Sequence, residues 1–234
     1  VKWFRLAADQ GDASAQYNLG IAYANGKGIP KDDAEAAKWF RLAADQGDAS
    51  AQNNLGIAYG KGKGIPKDDA EAAKWFRLAA DQGNADAQYN LGFMYLNGRG
   101  VPQDDVQAVK WTRLAADQGN AEAQSNLGAM YAYGRGVPQD DVQAVKWTRL
   151  AADQGNTNAQ CNLGAMYANG QGIPQDYVQA HMWFNLAAAQ GHTNGATAID
   201  LVAGKMSPQQ IAQAQELARN WKSKKKSYSL FVHI

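Results

Sequence analysis

The chain has 234 residues, is 45% apolar and carries a formal net charge of +1, so no global field directs it to nucleic acid. A single cysteine, Cys161, excludes an intrachain disulfide, and no apolar run is long enough to span a membrane. The charge is unevenly placed: Lys222, Lys224, Lys225 and Lys226 sit in a stretch without acidic residues, leaving the rest mildly acidic.

Taken in order, the chain is one stretch copied repeatedly. An offset of 36 residues brings Trp3, Trp39, Trp75, Trp111, Trp147 and Trp183 into one column without insertion or deletion. Such a period predicts an all-α solenoid, in which each unit buries its apolar face by stacking on its neighbours. Val1 is not a methionine and falls inside a repeat, which predicts a piece excised from a longer protein. Residues 1–11 read as the second helix of a truncated repeat. Five full repeats follow at 12–47, 48–83, 84–119, 120–155 and 156–191.

Each repeat reads as two helices. Helix A, such as 13–25, is capped by Asp12, Asp48, Asn84, Asn120 or Asn156 and stopped by a Gly-x-Gly such as Gly26 and Gly28. An Ile/Val-Pro pair then prevents continuation. Helix B opens after Asp32, Asp68, Asp104, Asp140 or Asp176, each with Glu or Gln three residues on, close to a capping box. Residues 192–221 depart from the pattern. Their Ser207-Pro208-Gln209-Gln210 opens a last helix carrying Ile211, Ala214, Ala218 and Trp221 on one face, as a terminal cap requires. Residues 222–234 form a tail that is basic, then apolar.

The recurring strings are Ala-x-Ala-Gln-x-Asn-Leu-Gly-x-x-Tyr, Gly-x-Gly-Ile/Val-Pro-x-Asp and Ala-x-x-Trp-Phe/Thr-x-Leu-Ala-Ala-x-Gln-Gly. Together they resemble the Sel1-like repeat family, a relative of the tetratricopeptide repeat. The resemblance covers about residues 1–221. It implies a right-handed α-solenoid acting as a scaffold or adaptor for peptides or proteins. Family members serve in signalling complexes, in endoplasmic-reticulum quality control and in bacterial contacts with hosts. Some secreted bacterial members staple each hairpin with a disulfide, for which this chain lacks the cysteines.

Comparing the copies with each other separates two faces of helix A. Ala15, Gln16, Leu19, Gly20 and Tyr23 recur unchanged, as a stacking seam demands. The changing positions are 14, 17, 21, 24 and 25, and position 17 reads Tyr17, Asn53, Tyr89, Ser125 and Cys161. A second series runs Ile21, Ile57, Phe93, Ala129 and Ala165, and a third Asn25, Lys61, Asn97, Tyr133 and Asn169. That face is expected to be free of packing and to line a concave groove. Beside it Asn18, Asn54, Asn90, Asn126 and Asn162 never vary. Their amides either pair with the main chain of an extended peptide or fix the angle between helices. Tyr17, Ile21, Ile57, Tyr89, Phe93 and Tyr133 would supply pockets for its side chains. The Trp column and Leu42 read as core, and Lys38, Arg41 and Asp45 as solvated pairs along helix B.

Chemistry is sparse. His181, His192 and His233 have no metal-ligand spacing, and Gly26-Lys27-Gly28 lacks the third glycine of a dinucleotide loop. No cofactor, metal or catalytic residue is expected. The resemblance also carries a β-lactam-processing alternative, because some bacterial members have been linked to that activity. The lone Ser-x-x-Lys, Ser223 to Lys226, has no companion motif. A purely structural spacer is the third reading. The apolar stretch Tyr228 to Ile234 is a candidate for self-association, lying in the groove of a second copy.

Overall fold

Asp and Asn side chains open the helices where the repeat pattern puts them. The computed structural model describes residues 2–223. Among them are thirteen helices and no strand: α1 (Lys2–Asp9), α2 (Ala13–Asn25), α3 (Asp33–Asp45), α4 (Ala49–Lys61), α5 (Asp69–Asp81), α6 (Ala85–Asn97), α7 (Asp105–Asp117), α8 (Ala121–Tyr133), α9 (Asp141–Asp153), α10 (Thr157–Asn169), α11 (Tyr177–Ala189), α12 (Thr193–Ala203) and α13 (Pro208–Asn220). Asp12, Asp48, Asn84, Asn120 and Asn156 each accept from the backbone N–H three residues on. Gly26, with φ of 68°, closes α2 in the left-handed conformation.

The second caps are only half of a capping box. Asp32 accepts from Glu35 N–H, but the Asp32 N–H donates to the Tyr23 carbonyl at 3.0 Å, so Glu35 pairs with Lys38 instead. The same bond recurs from Asp68 to Tyr59 and from Asp176 to Tyr167. It closes each loop by tying the start of helix B to the end of helix A. Ser207 and Gln210 do form the full box, at the start of α13.

The chain divides into two compact units, residues 1–115 and 116–234. In the first, α1 to α6 pack on one another in chain order. In the second, α8 to α12 do likewise, and α13 folds back onto α11. Each repeat fixes its seam with a fully buried leucine (Leu19, Leu55, Leu91, Leu127, Leu163) and a glycine one residue later. A Cβ on Gly56 would lie 2.7 Å from the Phe76 ring, and one on Gly128 would lie 2.4 Å from Thr148 Oγ1. Helices A and B therefore meet at that glycine, and the Phe/Thr alternation lies directly against it.

A glutamine then clips three helices together. Buried Gln52 donates to the Ala44 carbonyl of α3 at 3.1 Å and accepts from Gln82, at the end of α5, at 2.8 Å. Gln16, Gln124 and Gln160 repeat both bonds. The tryptophans of the column are half-buried or buried, from Trp39 to Trp183.

Three sequence expectations change. Leu42 and Leu78 are 46% and 47% exposed: helix B turns Trp and Ala inward, and its leucine falls on the outer flank. Arg41 does not pair along its own helix. Its guanidinium donates to the Tyr59 hydroxyl and lies over the Trp75 ring, so it joins successive repeats. The changing face of helix A is not free of packing at position 17, since its counterparts Asn53 and Ser125 are each only 8% exposed.

His181, 2% exposed on α11, is pushed below its ordinary pKa by burial. A depressed pKa means that the unfolded chain takes up the proton first. The stability from keeping this ring neutral is complete above the unfolded pKa of about 6.5 and is lost as pH falls below it. Melting temperature should therefore decline from pH 7 to pH 5, and His181→Leu should flatten that decline. An equal decline in both proteins would exclude His181 as its source. His192 caps α12, accepting from Gly195 N–H, and His233 lies outside the described residues.

Candidate binding grooves

In the first unit, two pockets recur one repeat apart. One, of about 210 Å³, is lined by residues that include Ile21, Asp33, Phe40, Asn54, Ile57 and Lys63. The other, also about 210 Å³, has Ile57, Asp69, Phe76, Asn90, Phe93 and Arg99 at the matching positions. Ile57 forms a wall of both. The second unit holds a smaller copy of about 100 Å³ with Ala129, Thr148, Asn162, Ala165 and Gln171 in those places, beside Tyr133. Substituting Ala for Ile or Phe, and Thr for Phe, is what changes these walls.

Seven sequence-chosen residues thus line pockets: Ile21, Asn54, Ile57, Asn90, Phe93, Tyr133 and Asn162. Phe93 and Tyr133 are 39% and 84% exposed. Asn18 is exposed and Asn126 half-buried. Tyr17 is half-buried, its ring 6.1 Å from that of Phe40, and Tyr89 is half-buried at the same position of its repeat. Burial raises the Tyr17 pKa, and a hydrogen bond with Asn54 counters part of that rise. Asn90 donates to Asn53 Oδ1 at 3.0 Å. Both asparagines therefore reach position 17 of the preceding repeat, which gives them a structural role. An amide has further donor and acceptor capacity beyond one such bond.

The sequence reading missed the charged rim. Arg99 donates to Asp69 at 2.7 Å across the mouth of the second pocket, and the guanidinium holds the Asp69 carboxyl below its usual pKa. In the second unit Gln171 makes the same reach to Asp141, at 3.0 Å. The signal lay in the doubled aspartate at the start of α3, α5, α7 and α9, as at Asp68-Asp69, whose first member caps the helix and whose second pairs with the loop of the next repeat.

Both pockets of the first unit are smaller than the 300–1,000 Å³ of small-molecule sites, and each suits a single side chain. Ser223 donates its hydroxyl to the Gln154 carbonyl at 2.9 Å, while Lys224 to Lys226 and the apolar stretch Tyr228 to Ile234 lie outside the described residues. Among the described residues no helix is long and apolar enough to cross a membrane.

The family model of the Sel1 repeat matches residues 1–12, 13–48, 49–84, 85–120, 121–156 and 157–192. No curated protein matches the sequence. Among solved structures, c5321, a protective antigen present in uropathogenic Escherichia coli strains with an SLR fold, is 40% identical with a TM-score of 0.83. That match covers 93% of this chain, which spans 47% of the antigen. A Sel1 repeat protein from Oxalobacter formigenes is 34% identical over 89% of this chain and 86% of its own, with a TM-score of 0.78. Immunity protein Pa5087 from Pseudomonas aeruginosa shares the fold at 23% identity and a TM-score of 0.54, over 89% of this chain and 79% of its own.

Proposed function

Since the chain belongs to the Sel1 repeat family, whose repeats generally bind proteins as non-enzymatic scaffolds, we propose that it binds an extended segment of a protein partner along α2, α4 and α6. The observation that carries this reading is the recurrence of one pocket in successive repeats. Each copy pairs an apolar wall with an asparagine. Successive apolar side chains of the partner enter the pockets at Ile21–Ile57 and Ile57–Phe93. The amides of Asn54 and Asn90 meet its main chain, which is the economy of an extended peptide on a periodic surface. Asn18, Asn126 and Asn162 hold the equivalent place in their own repeats, and Tyr17, Tyr89 and Tyr133 flank it.

The test is a displayed library of random 12-residue peptides selected on this chain. Selected peptides should carry regularly spaced apolar residues. Their affinity should fall about tenfold for Asn54→Ala/Asn90→Ala, the loss expected from two main-chain hydrogen bonds. Ile57→Asp should abolish binding, because it places a charge in both pockets at once. Asparagines that only set the helix angle would instead lower melting temperature and leave peptide affinity unchanged. That result would move the function to another face or to a spacer.

A further inference from the structure

A second pocket type lies at the end of helix B, and the structure shows one copy filled and one open. The open copy, about 280 Å³ in the second unit, is lined by Ala116, Asp117, Gly119, Gln124, Trp147, Leu150, Asp153 and Gln154. One repeat later the same positions are Ala152, Asp153, Gly155, Gln160, Trp183, Leu186, Ala189 and Gln190. There the Trp221 ring packs edge-on to Trp183 with centroids 6.3 Å apart, and its edge is 3.7 Å from where a Gly155 Cβ would stand. The indole thus lies within contact range of the Gly155 turn. Leu186 beneath it is half-buried, whereas its counterpart Leu150 is 42% exposed.

After Trp221 the chain turns toward the open copy. The Ser223 hydroxyl donates to the carbonyl of Gln154, a residue that lines the open pocket. The following residues, 224–234, lie outside the described residues and read Lys-Lys-Lys-Ser-Tyr-Ser-Leu-Phe-Val-His-Ile. We propose that this segment continues across the same face and seats Tyr228 in the pocket at Trp147, with Lys224 to Lys226 passing the carboxylates of Asp153 and Asp117.

Reach and charge both suit that occupant. One repeat is one or two interhelix spacings of about 8–10 Å, and the seven residues from Trp221 to Tyr228 extend to roughly 23 Å. The open pocket has two carboxylates, at 117 and 153, where the filled one has Asp153 and Ala189. A basic linker ahead of the aromatic ring therefore meets more opposite charge at the open copy. An aromatic ring against Trp, Leu and glycine reproduces the packing already made by Trp221. The docked tail would extend the terminal cap over a further repeat.

The experiment is photocrosslinking on the full 234-residue chain bearing Tyr228→p-benzoylphenylalanine. The crosslink should form within one chain, at dilute concentration, and map to residues 116–119 or 147–154. Its yield should fall several-fold with Lys224→Glu/Lys225→Glu/Lys226→Glu, and recover when Asp117→Lys/Asp153→Lys are added. The same probe placed at Phe231 should not label those residues. A crosslink between two chains would assign the pocket to a second copy, and labelling elsewhere or not at all would remove the tail as occupant. Either result overturns the proposal. Circular dichroism confirms that each variant keeps its helices.

Discussion

Gly100→Ala should destabilise the chain by about 3 kcal/mol, although the change adds a single methyl group. Gly100 has φ of +67°, which costs an L-residue roughly 1–2 kcal/mol. Its Cβ would also stand 1.9 Å from the carbonyl oxygen of Asp69 and 2.8 Å from Ala70 N. Both are backbone atoms in or beside the first turn of α5 in the preceding repeat, so no side chain can swing away. Overpacking of this kind adds about 1–3 kcal/mol. The loop must lift off α5, which also strains the Arg99–Asp69 bond beside it. For a chain of this length the loss corresponds to a fall in melting temperature of roughly 6–12 °C. Gly83→Ala is the control: φ is +88° but nothing lies within 4 Å of the added Cβ, so only the conformational part remains, about 1 kcal/mol. Equal losses at the two sites would show that the loop does not bear on α5 closely.

The fold was legible because its local signals agree. Helix caps, glycine stops, the Pro after each loop and the 36-residue period all point to the same hairpin, and the capping side chains lie at the positions read from sequence. The groove was legible only in part. Variation among copies pointed to Ile21, Ile57 and Phe93, because volume is free to change where a pocket opens to solvent. It misled at Tyr17 and Asn53, which bond to an asparagine of the next repeat, and at Ser125, which is buried. Constancy misled at Leu42 and Leu78, which are retained in every copy while their side chains face outward. Arg41 was out of reach of any pattern confined to one helix, since its partners Tyr59 and Trp75 belong to the next repeat.

This dependence on the neighbouring repeat gives the asparagines two roles that pull in opposite directions experimentally. Asn90 donates to Asn53, and Asn54 bonds with Tyr17, so alanine at either site removes a contact between repeats as well as a group in a pocket. Both bonds are part-buried, and a neutral hydrogen bond of this kind contributes about 0.5–1.5 kcal/mol. A small drop in melting temperature is thus compatible with the binding role. The peptide affinity at a temperature well below the transition is the quantity that separates the two.

The glutamine clip should be far less tolerant. Gln160 is fully buried, donates to the Ala152 carbonyl at 3.2 Å and accepts from Gln190 at 2.7 Å. Gln160→Leu keeps the bulk but removes both bonds, leaving a buried carbonyl lone pair and an amide without its partner. An unsatisfied buried polar group costs about 1–3 kcal/mol, so a loss of about 2 kcal/mol is expected, or roughly 4–8 °C in melting temperature. Gln190→Ala alone should cost less, because Gln190 is exposed and the released acceptor of Gln160 is the only group left buried. Thermal melts of the two single variants and the double variant decide the matter through their coupling. Residues sharing one hydrogen-bond network couple by about 0.5–3 kcal/mol, with the double variant losing less than the sum. Simple additivity would mean that the Gln160–Gln190 bond adds nothing to the hold of α11 on α10, which would then rest on apolar packing and on the Thr157–Gln190 bond.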